Sequence, residues 1–167
     1  TDTKPSLLTF NEVTTFLHEF GHALHGMFSK CTYGSTSMDG VSRDFVELPS
    51  QFMENYALEK EWLDTWAVHY QTGEKIPQEY ITKIHEAANF QAGYASDRQL
   101  SFGMVDMAWH TITEPVTEPL ADFEQRAMGK TEIMPLVKGS AFSPAFGHIF
   151  AGGYAAGYYG YKWAEVL

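Results

Sequence analysis

His18-Glu19-Phe20-Gly21-His22 sets two imidazoles four residues apart, with a carboxylate directly after the first. Four residues is about one helical turn, so on an α-helix His18 and His22 leave the same side and their nitrogens can converge on one cation. Glu19, turned from them by about 60 to 100°, reaches a water at that cation without ligating first. Such a set is hydrolytic, with a metal-activated water and Glu19 as its general base. With 7 histidines and 14 glutamates among 167 residues, the pattern arises by chance about 0.02 times, so two unrelated surface histidines are the weaker explanation.

A catalytic zinc takes three protein ligands and keeps one position open. The extended pattern with a third histidine is excluded, because His25 stands where its glycine is required and Phe28 where its histidine is required. A carboxylate must complete the set. By spacing alone Glu47, Glu54, Asp39, Asp44 and Glu118, with Asp122 one turn on, all qualify. Glu47, Gln51 and Glu54 follow i, i+4, i+7, so one polar stripe of a second helix could face the histidines, with Glu54 supporting a ligand from behind. The plainer reading of Glu47 is a capping partner of Asp44.

The elements that must carry these residues are helical. Thr9 and Glu12 form a capping box, and the helix it starts is expected to run to about Lys30. Val13, Phe16, Leu17, Phe20, Leu24, Met27 and Phe28 fall on one stripe, which is its expected core face and leaves the histidines pointing away from the core. A loop covers Cys31 to Ser42. A second helix is expected from about Asp44 through Glu59 to Tyr70, with Phe45, Leu48, Phe52 and Tyr56 buried. Further helices are read at Tyr80 to Phe90, Leu100 to His110, Ala121 to Met128 and Gly152 to Leu167. Trp62, Trp66, Trp109 and Trp163 read as core. Two-residue alternation is scarce, so the fold class is mainly α, in a single domain over 1–167.

Composition narrows the partners. A formal charge of -10 opposes a polyphosphate, so nucleic acid is an unsuitable ligand. One cysteine, Cys31, makes no internal disulfide, and the polar start Thr1-Asp2-Thr3-Lys4 resembles no signal peptide, so a cytoplasmic location is expected. Gly139 to Tyr161 lacks charged residues, but its glycines, tyrosines, Pro144 and His148 make it too polar for a membrane span. A start without methionine and an uncapped end at Ala164-Glu165-Val166-Leu167 lead to the expectation of a portion of a longer protein.

Several segments together resemble one family. Lys4-Pro-Ser-Leu-Leu-Thr-Phe, Phe16-Leu-His-Glu-Phe-Gly-His-Ala-Leu-His25, Asp44-Phe-Val-Glu-Leu-Pro-Ser-Gln51, Met53-Glu-Asn55 and Phe146-Gly-His-Ile-Phe-Ala-Gly-Gly-Tyr-Ala-Ala-Gly-Tyr-Tyr-Gly-Tyr161 resemble, in order, the thimet oligopeptidase family of zinc metallopeptidases, of the oligopeptidase A and dipeptidyl carboxypeptidase type. The resemblance implies a zincin-like helical catalytic domain, present in part, of a longer two-lobed enzyme whose remainder packs against it. It implies one zinc per chain, held by His18, His22 and Glu47, with Glu19 as base. It gives catalytic roles to His148 and Tyr161 and substrate-binding roles to Tyr154 and Tyr158. The expected function is hydrolysis of short peptides, or, for this portion alone, a zinc-holding core that lacks part of the cleft. Tyr154, Tyr158 and Tyr161 follow i, i+4, i+7, which on a helix would put them on one face; an ordinary aromatic core stripe would look the same.

Overall fold

The computed structural model describes residues 5–135 and 137–167 of the 167. Lys4, which opens the first resembling segment, and the rest of the polar start lie outside the described residues. The described residues are helical, with only an isolated antiparallel bridge between Val68 and Lys75 and no strand. None of their helices is long and apolar enough to cross a membrane. The chain forms two compact units. One holds the residues up to Val41 together with Val46–Phe90, the other Ser42–Phe45 with Gln91–Leu167.

The first unit begins with α1, Phe10–Met27. Its capping box is formed: the Thr9 amide donates to Glu12 Oε2 at 2.6 Å and the Glu12 amide donates to Thr9 Oγ1 at 3.3 Å. These bonds satisfy donors that a helix start leaves orphaned, and the backbone bond from Thr9 holds the Glu12 carboxyl below its usual pKa. The second expected helix is broken. It forms α2, Leu48–Glu54, then a 3₁₀ turn at Asn55–Leu58 and the short α3, Lys60–Leu63. Pro49 lies in the first turn of α2, where its missing N–H costs nothing. Beyond α3 the chain turns through the Val68–Lys75 bridge into α4, Gln78–Ala88. Leu17, Val46, Ala57, Leu63 and Ile81 are the buried apolar residues of this unit.

The expected core stripe of α1 is buried only in part: Leu17 is buried and Val13 and Leu24 are half-buried, but its aromatic residues and Met27 are not. Phe16 is 61% exposed, Met27 64% and Phe28 74%, whereas Gly21, outside that stripe, is buried beside Leu17 against α2. The cause is a close approach of backbones at Gly21, which turns the histidine side inward and leaves Phe16 and Phe20 stacked on each other outside. Phe45, Phe52 and Tyr56, expected inside, are likewise exposed, as are Trp66 and Trp163.

In the second unit α5, Ala92–His110, packs on α6, Leu120–Met128. A 3₁₀ turn at Ser143–Ala145 leads to the short α7, Gly147–Phe150, and the chain ends in α8, Gly160–Val166. Val105, Met128, Phe146, Ile149 and Tyr158 form the core, with Phe102, Trp109 and Phe142 packed around them. The helix expected from Gly152 is thus only its second half. Residues 151–159 are turns, with Gly153 at φ 81° and Ala156 at φ 52°.

Candidate metal centre

Three ligand atoms of the first unit converge. Glu47 Oε2 is 3.2 Å from His18 Nε2 and 3.3 Å from His22 Nε2, and one ligand atom from each of the three residues lies within 4.8 Å of the others. Among the described residues no other group of three such side chains gathers in this way. A tetrahedral zinc with bonds of about 2.0–2.1 Å sets neighbouring ligand atoms about 3.3 Å apart, which the two Glu47–histidine separations match, so two imidazoles and a carboxylate here suit the ion.

Local structure explains the convergence. His18 and His22 are one turn apart on α1, their ring centroids 5.0 Å apart and nearly perpendicular at 86°. Glu47 occupies the position just before α2 and is only 1% exposed. Ser50 Oγ lies 2.8 Å from the Glu47 carbonyl oxygen and 3.0 Å from Glu47 Oε2, donating within this buried turn. A buried carboxylate needs such partners, since taking its charge out of water is costly.

Behind His18 stands Glu54, whose Oε1 is 2.7 Å from His18 Nδ1. This bond orients the ring and keeps Nε2 directed at Glu47. The hydrogen bond to Glu47 first, and that to Glu54 second, push the His18 pKa up to about 10 against the opposing effect of burial. Two carboxylates on the two sides of one imidazole favour positive charge there, whether a proton or a metal ion. His22 Nδ1, by contrast, is buried and has no hydrogen-bond partner among the described residues. Glu19 is exposed on the turn carrying the histidines.

The other acids considered as third ligand are engaged elsewhere or lie outside the cluster. Asp44 accepts a hydrogen bond from the Tyr159 hydroxyl at 2.9 Å, which raises the Tyr159 pKa, and Glu118 pairs with Arg126.

The second unit gathers the four remaining residues. His148 is exposed on α7, its ring 6.0 Å from those of Tyr154 and Tyr158. Tyr161 lies 5.3 Å from Tyr154 and 5.0 Å from Tyr158. Their proximity comes from turns rather than from a helical face, and the Tyr154 amide donates back to the His148 carbonyl at 3.1 Å. Tyr158 is 9% exposed, and burial raises its pKa, whereas Tyr154 and Tyr161 are half-buried. The Arg43 guanidinium sits 5.3 Å from the Tyr154 ring centre.

Sequence reasoning missed two buried carboxylates of this unit. Asp106 accepts the backbone N–H groups of Ala156 and Tyr158, each at 2.9 Å. Glu124 accepts from Phe142 N at 3.0 Å and Ser143 N at 2.7 Å. Their partners are 50 and 18 residues away, and no local motif points to either; only an acid on an otherwise apolar helix face hints at it.

A carboxylate and two histidines on a helical scaffold, with a further glutamate beside the first histidine, is the ligand chemistry of metal-dependent hydrolases. The whole chain, residues 1–167, matches the model of peptidase family M3, and the protein belongs to that family, in agreement with the thimet oligopeptidase resemblance. It is 49% identical over 166 residues to the organellar oligopeptidase A of Arabidopsis thaliana, covering 98% of this chain and 21% of that protein. Oligopeptidase A of Escherichia coli is 45% identical over 170 residues, covering 98% and 24% respectively. Dipeptidyl carboxypeptidase of Salmonella typhimurium is 40% identical over 168 residues, covering 99% and 25%. The chain therefore spans about a fifth to a quarter of the length of these relatives.

Proposed function

We propose that this chain is the zinc-holding catalytic portion of a peptidase that hydrolyses short peptides. Zinc, held by His18, His22 and Glu47, would supply a Lewis acid that polarises a peptide carbonyl and acidifies a water to a pKa near ~7. Glu19 takes the proton of that water on its carboxylate and delivers it to the departing amine. His148 and Tyr161 donate hydrogen bonds to the oxygen on which negative charge develops. A neutral phenol suits that task because it donates without burying a second fixed charge. Tyr154 holds the substrate, and Tyr158, the most buried of the three, backs the other two rings.

The observation that carries this reading is the convergence of three donor atoms, Glu47 Oε2 at 3.2 and 3.3 Å from the two imidazole nitrogens and one atom from each residue within 4.8 Å of the others, with Glu19 adjacent to His18 on the same turn. The relatives' names, an oligopeptidase and a dipeptidyl carboxypeptidase, support peptides as the substrate class. Exposed Cys31, a free thiol, is compatible with the reduced cytoplasm expected from composition, although one relative is chloroplastic and mitochondrial. Glu19→Gln is the test. It spares the ligands, so zinc stays bound at about one per chain, while peptide turnover falls by about three orders of magnitude or more. Undiminished cleavage would remove Glu19 from its role.

A second reading is favoured by the share of the relatives covered, about a quarter at most. On it, this portion alone holds zinc without turnover, and peptide cleavage appears only in the longer protein. Zinc content and peptide hydrolysis measured on both lengths separate the two.

A further inference from the structure

Asp106 of α5 is fully buried, and its two oxygens each accept a backbone N–H from the tyrosine-bearing segment: Ala156 to Oδ1 and Tyr158 to Oδ2, both at 2.9 Å. One turn on, His110 Nδ1 lies 2.8 Å from the same Oδ1 and 2.8 Å from the Asp106 carbonyl oxygen, a further polar contact that holds the carboxylate in place. Between the two clamped amides the chain runs through turns rather than helix. Ala156 takes φ 52°, a left-handed conformation that a residue with a Cβ adopts only when its surroundings impose it. In a continued helix these two N–H groups would bond to carbonyls of the preceding turn; here one remote side chain receives both. The result is that Tyr158 turns inward and Tyr154 and Tyr161 stack at 5.3 Å on the more open side.

We propose that Asp106, braced by His110, is the positioning residue of this segment, holding Ala156 in its strained turn so that Tyr154 and Tyr161 are presented to the peptide substrate. The inference rests on the peptidase reading for its functional half and on backbone geometry for its structural half. Charge-assisted bonds to two amides make a carboxylate the right group, and its amide isostere keeps the shape but turns an NH₂ toward one of the two donors.

The test compares the zinc-loaded protein with its Asp106→Asn variant, and then with a double variant carrying both Asp106→Asn and Ala156→Gly. Amide hydrogen exchange at Ala156 and Tyr158 is expected to speed up at least tenfold in D106N, with zinc content unchanged. Peptide kcat/KM is expected to fall 10- to 100-fold, with affinity for a phosphinic peptide, which mimics the tetrahedral intermediate, falling in parallel. Adding Ala156→Gly is expected to recover at least threefold of the lost kcat/KM, because glycine adopts φ 52° without a Cβ penalty. A merely structural role would lower the melting temperature and zinc content without that recovery. Unchanged exchange, or faster exchange with unchanged kcat/KM, overturns the proposal, as does a loss that follows zinc release or that A156G leaves untouched. The kinetic comparison is made in the longer protein where this chain alone is inactive; should neither length cleave a peptide, the peptidase reading fails by itself, and the exchange rates still decide whether Asp106 holds the turn.

Discussion

Gly21 lies directly against Pro49: a Cβ placed on Gly21 would fall 2.5 Å from the Pro49 carbonyl oxygen and 2.6 Å from the Ser50 Cα. Both obstacles are backbone, so neither can swing aside. The absence of one side chain therefore lets α1 and α2 touch where His18 and His22 must meet Glu47.

Gly21→Ala should accordingly be costly, although alanine favours helix in itself. Overpacking of this kind costs about 1–3 kcal/mol, and relief comes only by moving the helices apart, which draws the histidines from Glu47. The expected result is a loss of about 2–3 kcal/mol in denaturant unfolding, together with at least a tenfold weaker zinc affinity in chelator competition. An alanine variant as stable as its parent and binding zinc equally well would show that the approach is not what assembles the site.

Glu54 touches His18 and not the Glu47 side of the cluster, so on the zinc reading it would act on the metal through His18. Its 2.7 Å contact with Nδ1 leaves Nε2 as the atom free to coordinate, and loss of such a partner typically weakens metal binding 10- to 100-fold. Glu54→Ala should show that loss by chelator competition, and Glu54→Gln a smaller one, since the amide oxygen still accepts from Nδ1. Equal zinc affinity in all three proteins would reduce Glu54 to a bystander.

Glu47 is buried beside two imidazoles and the Ser50 hydroxyl, groups that suit a negative charge, so on the zinc reading its carboxylate is the ligand whose loss should matter most. Zinc that binds the native state alone stabilises it by about 2.7 kcal/mol at one hundred times its dissociation constant. In the parent protein, added zinc should raise the melting temperature and a chelator should reverse the rise. In Glu47→Ala that response should vanish, and the dialysed protein should carry almost no zinc. Stoichiometric zinc retained by the variant would assign the third ligand to another carboxylate.

Much of this is legible in the residues themselves, and the failures share a cause. The capping box of Thr9 and Glu12, the pairing of His18 with His22 and the polar stripe holding Glu47 and Glu54 are local patterns, and they form as spacing requires. The apolar stripe of α1 misleads in part, since Leu17 is buried but Phe16, Met27 and Phe28 are not. Periodicity identifies an amphipathic face but not which side meets its neighbour, and the glycine within the histidine motif decides that instead. The tyrosine segment has helical spacing too, yet turns replace the helix through Asp106, an acceptor supplied from 50 residues away that no window of sequence contains.

Glu124 presents the same long-range dependence as a question of stability. It is fully buried in α6 and receives Phe142 N at both oxygens and Ser143 N at 2.7 Å, while the Ser143 hydroxyl accepts Trp109 Nε1 at 2.8 Å. The turn that precedes Phe146 and His148 thus hangs on one carboxylate. Glu124→Gln keeps the volume but sets a donor against a backbone donor, and a buried polar group left unsatisfied costs about 1–3 kcal/mol, more when charge-assisted bonds are lost. Chemical unfolding followed by tryptophan fluorescence, to which Trp109 contributes, should therefore show a lower midpoint for Glu124→Gln and a lower one still for Glu124→Ala, where a cavity is added to the two unmet amides. If glutamine unfolded at the parent's midpoint, the amides of Phe142 and Ser143 would have found other acceptors, and the path from α6 to His148 would not run through this side chain.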